Sequence, residues 1–70
     1  MNDTTKMIMI GKAEKGITND YELATKIGLS RQAFSRKLQV PNSFKPTELK
    51  AIADLFGWSN EKLGEFLRTI

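Results

Sequence analysis

The 70-residue chain contains no cysteine and no histidine. The first absence excludes disulfide staples and thiol chemistry. The second removes the commonest zinc ligand and the side chain most often used as a general base near neutral pH. No glycine-rich phosphate loop and no metal-ligand spacing accompany the serines and carboxylates that remain, so neither an enzyme nor a cofactor or metal site is expected. No apolar run approaches the roughly 20 residues of a membrane span. The opening MNDTTK carries Asp3 and lacks the basic n-region of a signal peptide, so a cytoplasmic chain without membrane association is expected. Proline is scarce: Pro41 and Pro46 punctuate a single stretch. What is present, 40% hydrophobic and 27% charged residues, is the composition of a globular domain. At this length without staples, one compact helical domain over residues 1–70 is expected, with dimerisation as a further source of stability.

Net charge is only +3, but it is unevenly placed. Residues 1–25 hold Lys6, Lys12 and Lys15 against Asp3, Glu14, Asp20 and Glu22, a balance of −1. Residues 26–50 hold Lys26, Arg31, Arg36, Lys37, Lys45 and Lys50 against Glu48 alone, a balance of +5. Residues 51–70 return to −1, with Lys62 and Arg68 against Asp54, Glu61 and Glu65. Confinement of the positive charge to the middle of the chain suits a polyanion-binding face; a solvated basic surface without a partner is the plainer alternative.

Residues 22–38, ELATKIGLSRQAFSRKL, read as two short helices joined by a tight turn. Ala24 is small enough to let two angled helices approach, Gly28 tolerates the positive φ such a turn requires, and Leu29 and Phe34 point back into the angle. Leu23 and Ile27 complete that small core at helical spacing, and Leu38 extends it at i+4 from Phe34.

This stretch resembles the helix-turn-helix of the lambda repressor/Cro-like (XRE-type) family. The resemblance runs from about residue 8 to residue 70, through Glu14-Lys15-Gly16-Ile17-Thr18, Glu22-Leu23-Ala24, Ile27-Gly28, Phe34-Ser35-Arg36-Lys37-Leu38, Asn42-Ser43-Phe44 and Glu48-Leu49…Ile52-Ala53…Phe56-Gly57. It implies an all-α, five-helix DNA-binding domain whose helix-turn-helix spans about residues 19–39. Its second helix, about 30–39, would enter the major groove. Three departures stand out. Gly11 occupies a position where an apolar residue is common. The segment between Gly16 and Ala24 is one residue longer than usual, and Lys37 replaces a frequent apolar residue.

In chain order, Thr4 or Thr5 is expected to cap a first helix running to about Lys15 and ending at Gly16. Met7, Ile8, Met9 and Ile10 are consecutive, so some must face solvent or a partner subunit. Gly11 inside that helix marks either a close approach by another helix or a weak point. Thr18 or Asn19 begins the second helix, with Asn19 and Glu22 near a capping box. Ser30 caps the third, which Val40-Pro41 must end. Residues 40–45 form a connection with Phe44 as an inward anchor. Pro46 opens a fourth helix whose Leu49, Ile52, Ala53 and Phe56 make one apolar stripe, and Gly57 closes it. Ser59 and Glu61 start a fifth, with Leu63, Phe66, Leu67 and Ile70 at the same periodicity and Trp58 at the junction. The other stripes read as core, whereas the resemblance implies that the carboxyl-terminal end, apolar as far as Ile70, helps form dimers.

With Phe34 and Leu38 inward, Arg31, Gln32, Ser35 and Arg36 turn outward as the candidate base-reading set, since Arg pairs bidentately with guanine and Gln with adenine. Ser30, Lys37, Gln39, Asn42, Ser43 and Lys45 are expected to contact phosphates. By the resemblance, Asn19 and Tyr21 join them. Tyr21 packed on the bundle rim and Arg36 paired with Glu22 or Asp20 are the structural alternatives. The expected function is a sequence-specific, double-stranded-DNA-binding regulator of repressor/Cro type, of the small phage or mobile-element kind, dimeric on a two-fold operator. No small-molecule effector domain fits in the chain. A module of the same fold that binds a second regulator, as an antirepressor or antitoxin would, is the alternative.

Overall fold

The computed structural model describes residues 2–70, which form five α-helices, one 3-10 turn and no strand. α1 (Asp3–Glu14), α2 (Asp20–Lys26), α3 (Arg31–Gln39), α4 (Pro46–Phe56) and α5 (Asn60–Arg68) follow in order, with the 3-10 turn at Pro41–Ser43 inside the expected α3–α4 connection. None of these helices is long and apolar enough to cross a membrane.

Local chemistry sets the helix starts. Asn19 Oδ1 accepts from Glu22 N at 2.8 Å, Ser30 Oγ from Ala33 N at 3.1 Å, and Ser59 Oγ from Lys62 N at 3.1 Å. Each cap satisfies one of the amide donors a helix start leaves unpaired. α1 departs from expectation. Asn2, not Thr4 or Thr5, is its cap, accepting from Thr5 N at 2.8 Å. Both threonines lie inside the helix and are buried. Thr4 Oγ1 sits 2.6 Å from Thr69 Oγ1, and Thr5 Oγ1 donates to Leu38 O at 2.8 Å. A buried hydroxyl must find a partner, and these find theirs more than thirty residues away in sequence, where no local capping rule could look.

The turn between α2 and α3 spans residues 27–30. Gly28 takes φ +80° there, and two bonds close the end of α2: Gly28 N to Thr25 O at 3.1 Å and Leu29 N to Ala24 O at 2.9 Å. This pair defines a Schellman motif, and the left-handed residue it needs is why glycine stands at position 28.

Above that turn lies one continuous apolar cluster of Ile8, Ile17, Leu23, Ala24, Ile27, Phe34, Phe44, Leu49, Ile52, Phe56 and Phe66. Phe34, fully buried, meets Phe44 edge-on with ring centroids 6.3 Å apart, so the expected anchor role of Phe44 is realised. Leu29 and Leu38 are half-buried against the same cluster. Phe56, Trp58 and Phe66 form a second aromatic run, with centroids at 5.4 and 4.9 Å. The α5 stripe departs from a simple core: Phe66 is fully buried, whereas Leu67 and Ile70 are 45% and 42% exposed. Of the four consecutive apolar residues in α1, Ile8 is buried, Met7 and Met9 are half-buried and Ile10 faces solvent.

Candidate nucleic-acid interface

α3 is nine residues long and carries its polarity on one side. At about 100° per residue, Phe34 and Leu38 share the inward direction. Ser35, Gln39, Gln32 and Arg36 then follow one another around the opposite arc, with Arg31 at its edge beside Leu38. All five are exposed, and the two guanidinium side chains bracket a neutral strip of hydroxyl and amide groups. Arg31, Gln32, Ser35 and Arg36, the four candidate base readers, line one shallow surface depression. Neither arginine makes an ion pair among the described residues, so the expected alternative of Arg36 bound to Glu22 or Asp20 is not realised; Asp20 instead pairs with Lys12 at 2.9 Å.

The remaining candidates separate by how their polar atoms are used. Gln39, Asn42 and Lys45 are exposed, and their side chains make no hydrogen bond or ion pair among the described residues. Ser30 accepts a helix-capping bond, which leaves its hydroxyl proton free to donate. Asn19 likewise caps with its oxygen and keeps its amide donors. Tyr21 is 64% exposed. Asn19 and Tyr21 line a second depression together with Glu22, Thr25 and Lys26. Exposed Lys26, which the sequence left outside the candidate set, supplies the cation of that group. The Glu22 carboxylate beside it opposes any phosphate.

Two candidates are placed otherwise than expected. Ser43 donates its single hydroxyl proton to Val40 O at 2.6 Å, leaving nothing to offer a phosphate. Lys37 turns away from the exposed arc and binds Glu48 Oε1 at 2.6 Å, with the two side chains only 16% and 12% exposed. The same carboxylate oxygen accepts from Lys45 N at 2.8 Å. Glu48 thereby closes the start of α4, where Lys45 has no side-chain acceptor of its own, and ties that start to α3. At position 37, where the resemblance led to an apolar residue being expected, the lysine is used in this pairing. Its side chain is largely covered while its ammonium meets a partner on α4.

Burial raises the Glu48 pKa, but the Lys37 hydrogen bond, the Lys45 amide and the charges of both lysines outweigh it and hold the carboxyl below its ordinary 4.5. A carboxyl depressed in the folded state adds stability that is present above the unfolded pKa and lost as pH falls through the folded one. Glu48→Gln retains the amide acceptor and removes the charge. The variant is expected to be about 1 kcal/mol less stable than the parent at pH 7. That gap should close as pH is lowered through the region below 4.5, as chemical denaturation at stepped pH would read. A gap that persists undiminished at pH 2 would mean that the charge is not its cause.

Comparison with known proteins brings no relative to bear: no family model, no curated protein and no solved structure matches the chain.

Proposed function

We propose that the protein is a sequence-specific double-stranded-DNA-binding regulator in which α2 and α3 form a helix-turn-helix of the lambda repressor/Cro type and α3 reads the major groove. One observation carries this reading: α3 presents outward, together, a glutamine, a serine and two arginines that make no ion pair among the described residues, while Phe34 is fully buried beneath them. Those side-chain types match the donor and acceptor patterns of guanine and adenine in the major groove. Ser30, Gln39, Asn42 and Lys45, with Asn19, Tyr21 and Lys26 on the α2 side, would position the domain on the phosphates, a contribution to affinity without sequence information. Two copies would present two such helices to half-sites about 34 Å apart, a separation in keeping with a body of 28 × 24 × 23 Å.

A second reading, a module of the same fold that binds another regulator, draws on the apolar groove of Pro46, Leu49, Leu63 and Leu67 between α4 and α5. Selection from a random duplex library separates the two. Enrichment of a common motif is expected, and an inverted repeat within it would report the dimer. Failure to enrich any motif, with tight association to a protein partner instead, would replace the first reading by the second.

A further inference from the structure

α3 ends differently from the helices around it. α1, α2 and α4 each close on a glycine, through paired bonds such as Ile17 N to Lys12 O at 3.0 Å and Trp58 N to Ala53 O at 3.0 Å. α3 instead runs into Val40, at φ −128° and ψ 77°, and then Pro41. Pro41 has no amide to give back to the helix, and no left-handed residue follows the last turn. The carbonyls there need donors from elsewhere. Leu38 O receives two: Asn2 Nδ2 at 3.0 Å and Thr5 Oγ1 at 2.8 Å. Both come from the start of α1, Asn2 as its cap and Thr5 from its first turn, and that start is itself anchored at the far end of the chain through Thr4 and Thr69.

We infer that Asn2 and Thr5 are positioning residues for the groove-reading helix, fixing the carboxyl end of α3 so that Gln32, Ser35 and Arg36 meet base edges in one register. The inference rests on the reading of α3 given above. The physical ground is that recognition helices specify sequence through bidentate bonds that tolerate little misplacement. A nine-residue helix cannot supply that rigidity alone, because helices this short are marginal outside their tertiary contacts. Neither Asn2 nor Thr5 needs to touch DNA for this role.

The test uses Asn2→Ser combined with Thr5→Val. Serine keeps a good cap for α1 but is too short to reach Leu38, and valine keeps the shape of threonine without its hydroxyl. Thr5→Ser is the rescue variant. Affinity for the duplex selected by the wild type and for a scrambled duplex is measured well below the unfolding temperature, alongside amide exchange at Gln39 and Val40. The double variant is expected to lose about fivefold to tenfold on the selected duplex, the scale of one or two net hydrogen bonds. Little should change on the scrambled duplex or in the salt slope, because the phosphate contacts are unaltered. Exchange at Gln39 and Val40 should rise relative to the α2 amides, and Thr5→Ser should restore most of the selected-site affinity. A folded double variant that discriminates the two duplexes as well as wild type overturns the positioning role while leaving the DNA-reading role of α3 intact. Wild-type protein that discriminates no duplex from another overturns the reading of α3, and this inference with it. A loss equal on both duplexes, with unfolding to match, shows Asn2 and Thr5 to be stabilising only.

Discussion

Gly11→Ala should lower the thermal midpoint by about 10 °C, although alanine is the better helix former by about 1 kcal/mol. Gly11 is buried in the middle of α1, where the ring of Phe56 occupies the space a side chain would need. A β-carbon at position 11 would stand 2.5 Å from Phe56 Cδ2, 2.8 Å from Cε2 and 2.9 Å from Cγ. The ring has little freedom to withdraw, since Trp58 packs on it at 5.4 Å and Phe66 packs on Trp58. Overpacking of this kind costs about 1–3 kcal/mol; with three ring atoms inside contact distance, we expect a net loss of about 2 kcal/mol after the propensity gain. Gly64 in α5 provides the internal control. A β-carbon there would meet only Arg68 Nη1 at 3.6 Å, an ordinary contact with a flexible side chain, so Gly64→Ala should stabilise by roughly 0.5–1 kcal/mol. Thermal unfolding of the two variants should therefore move in opposite directions. If Gly11→Ala melts higher than the parent, the α1–α4 contact is looser than these distances require.

That contact shows where the sequence was informative and where it stopped. Gly11 marked either a close approach or a weak point, and spacing alone could not choose; the choice lay in Phe56, forty-five residues away along the chain. Signals confined to one helical turn were legible. Ser30 and Ser59 cap the helices they were expected to cap, Asn19 rather than Thr18 caps the second, Gly28 takes the left-handed turn, and Phe34 is buried while Arg31, Gln32, Ser35 and Arg36 are exposed. What escaped depends on partners distant in sequence. Thr4 and Thr5 looked like caps because threonine is a capping residue, yet their hydroxyls serve Thr69 and Leu38. Lys37 looked like a free cation because charge counting cannot see Glu48 eleven positions on, folded back against it. Ser43 was assigned by its type, whereas its single proton is consumed by Val40 O. Leu67 and Ile70 fit an apolar period, but a period gives a direction around the helix and not whether anything covers it. Asn2 and Thr5, the residues held here to position α3, had no signal in the sequence beyond being polar at a helix start.

Arg31→Ala and Gln32→Ala should each weaken binding to the selected duplex by about tenfold to a hundredfold, the range expected for loss of one bidentate base contact. The loss should concentrate at a single base position in each case, so that reselection with Arg31→Ala relaxes one position and reselection with Gln32→Ala another. Both side chains are exposed and line the depression on α3, and neither is hydrogen-bonded to the rest of the domain among the described residues. The variants should consequently unfold like the parent, which separates a binding defect from a folding defect. Lys45→Ala is the contrast. Its ammonium makes no ion pair among the described residues and lies outside the α3 arc, so its removal should weaken selected and scrambled duplexes alike and flatten the dependence of log K on log salt by about one unit. The distinction is quantitative, because a phosphate contact releases counterions whatever the sequence and a base contact supplies discrimination without changing that release. If Arg31→Ala behaves like Lys45→Ala, with uniform weakening and a shallower salt slope, then Arg31 clamps the backbone and the reading strip narrows to Gln32, Ser35 and Arg36. If neither Arg31→Ala nor Gln32→Ala changes discrimination while both remain folded, the outward arc of α3 is not the surface that reads DNA.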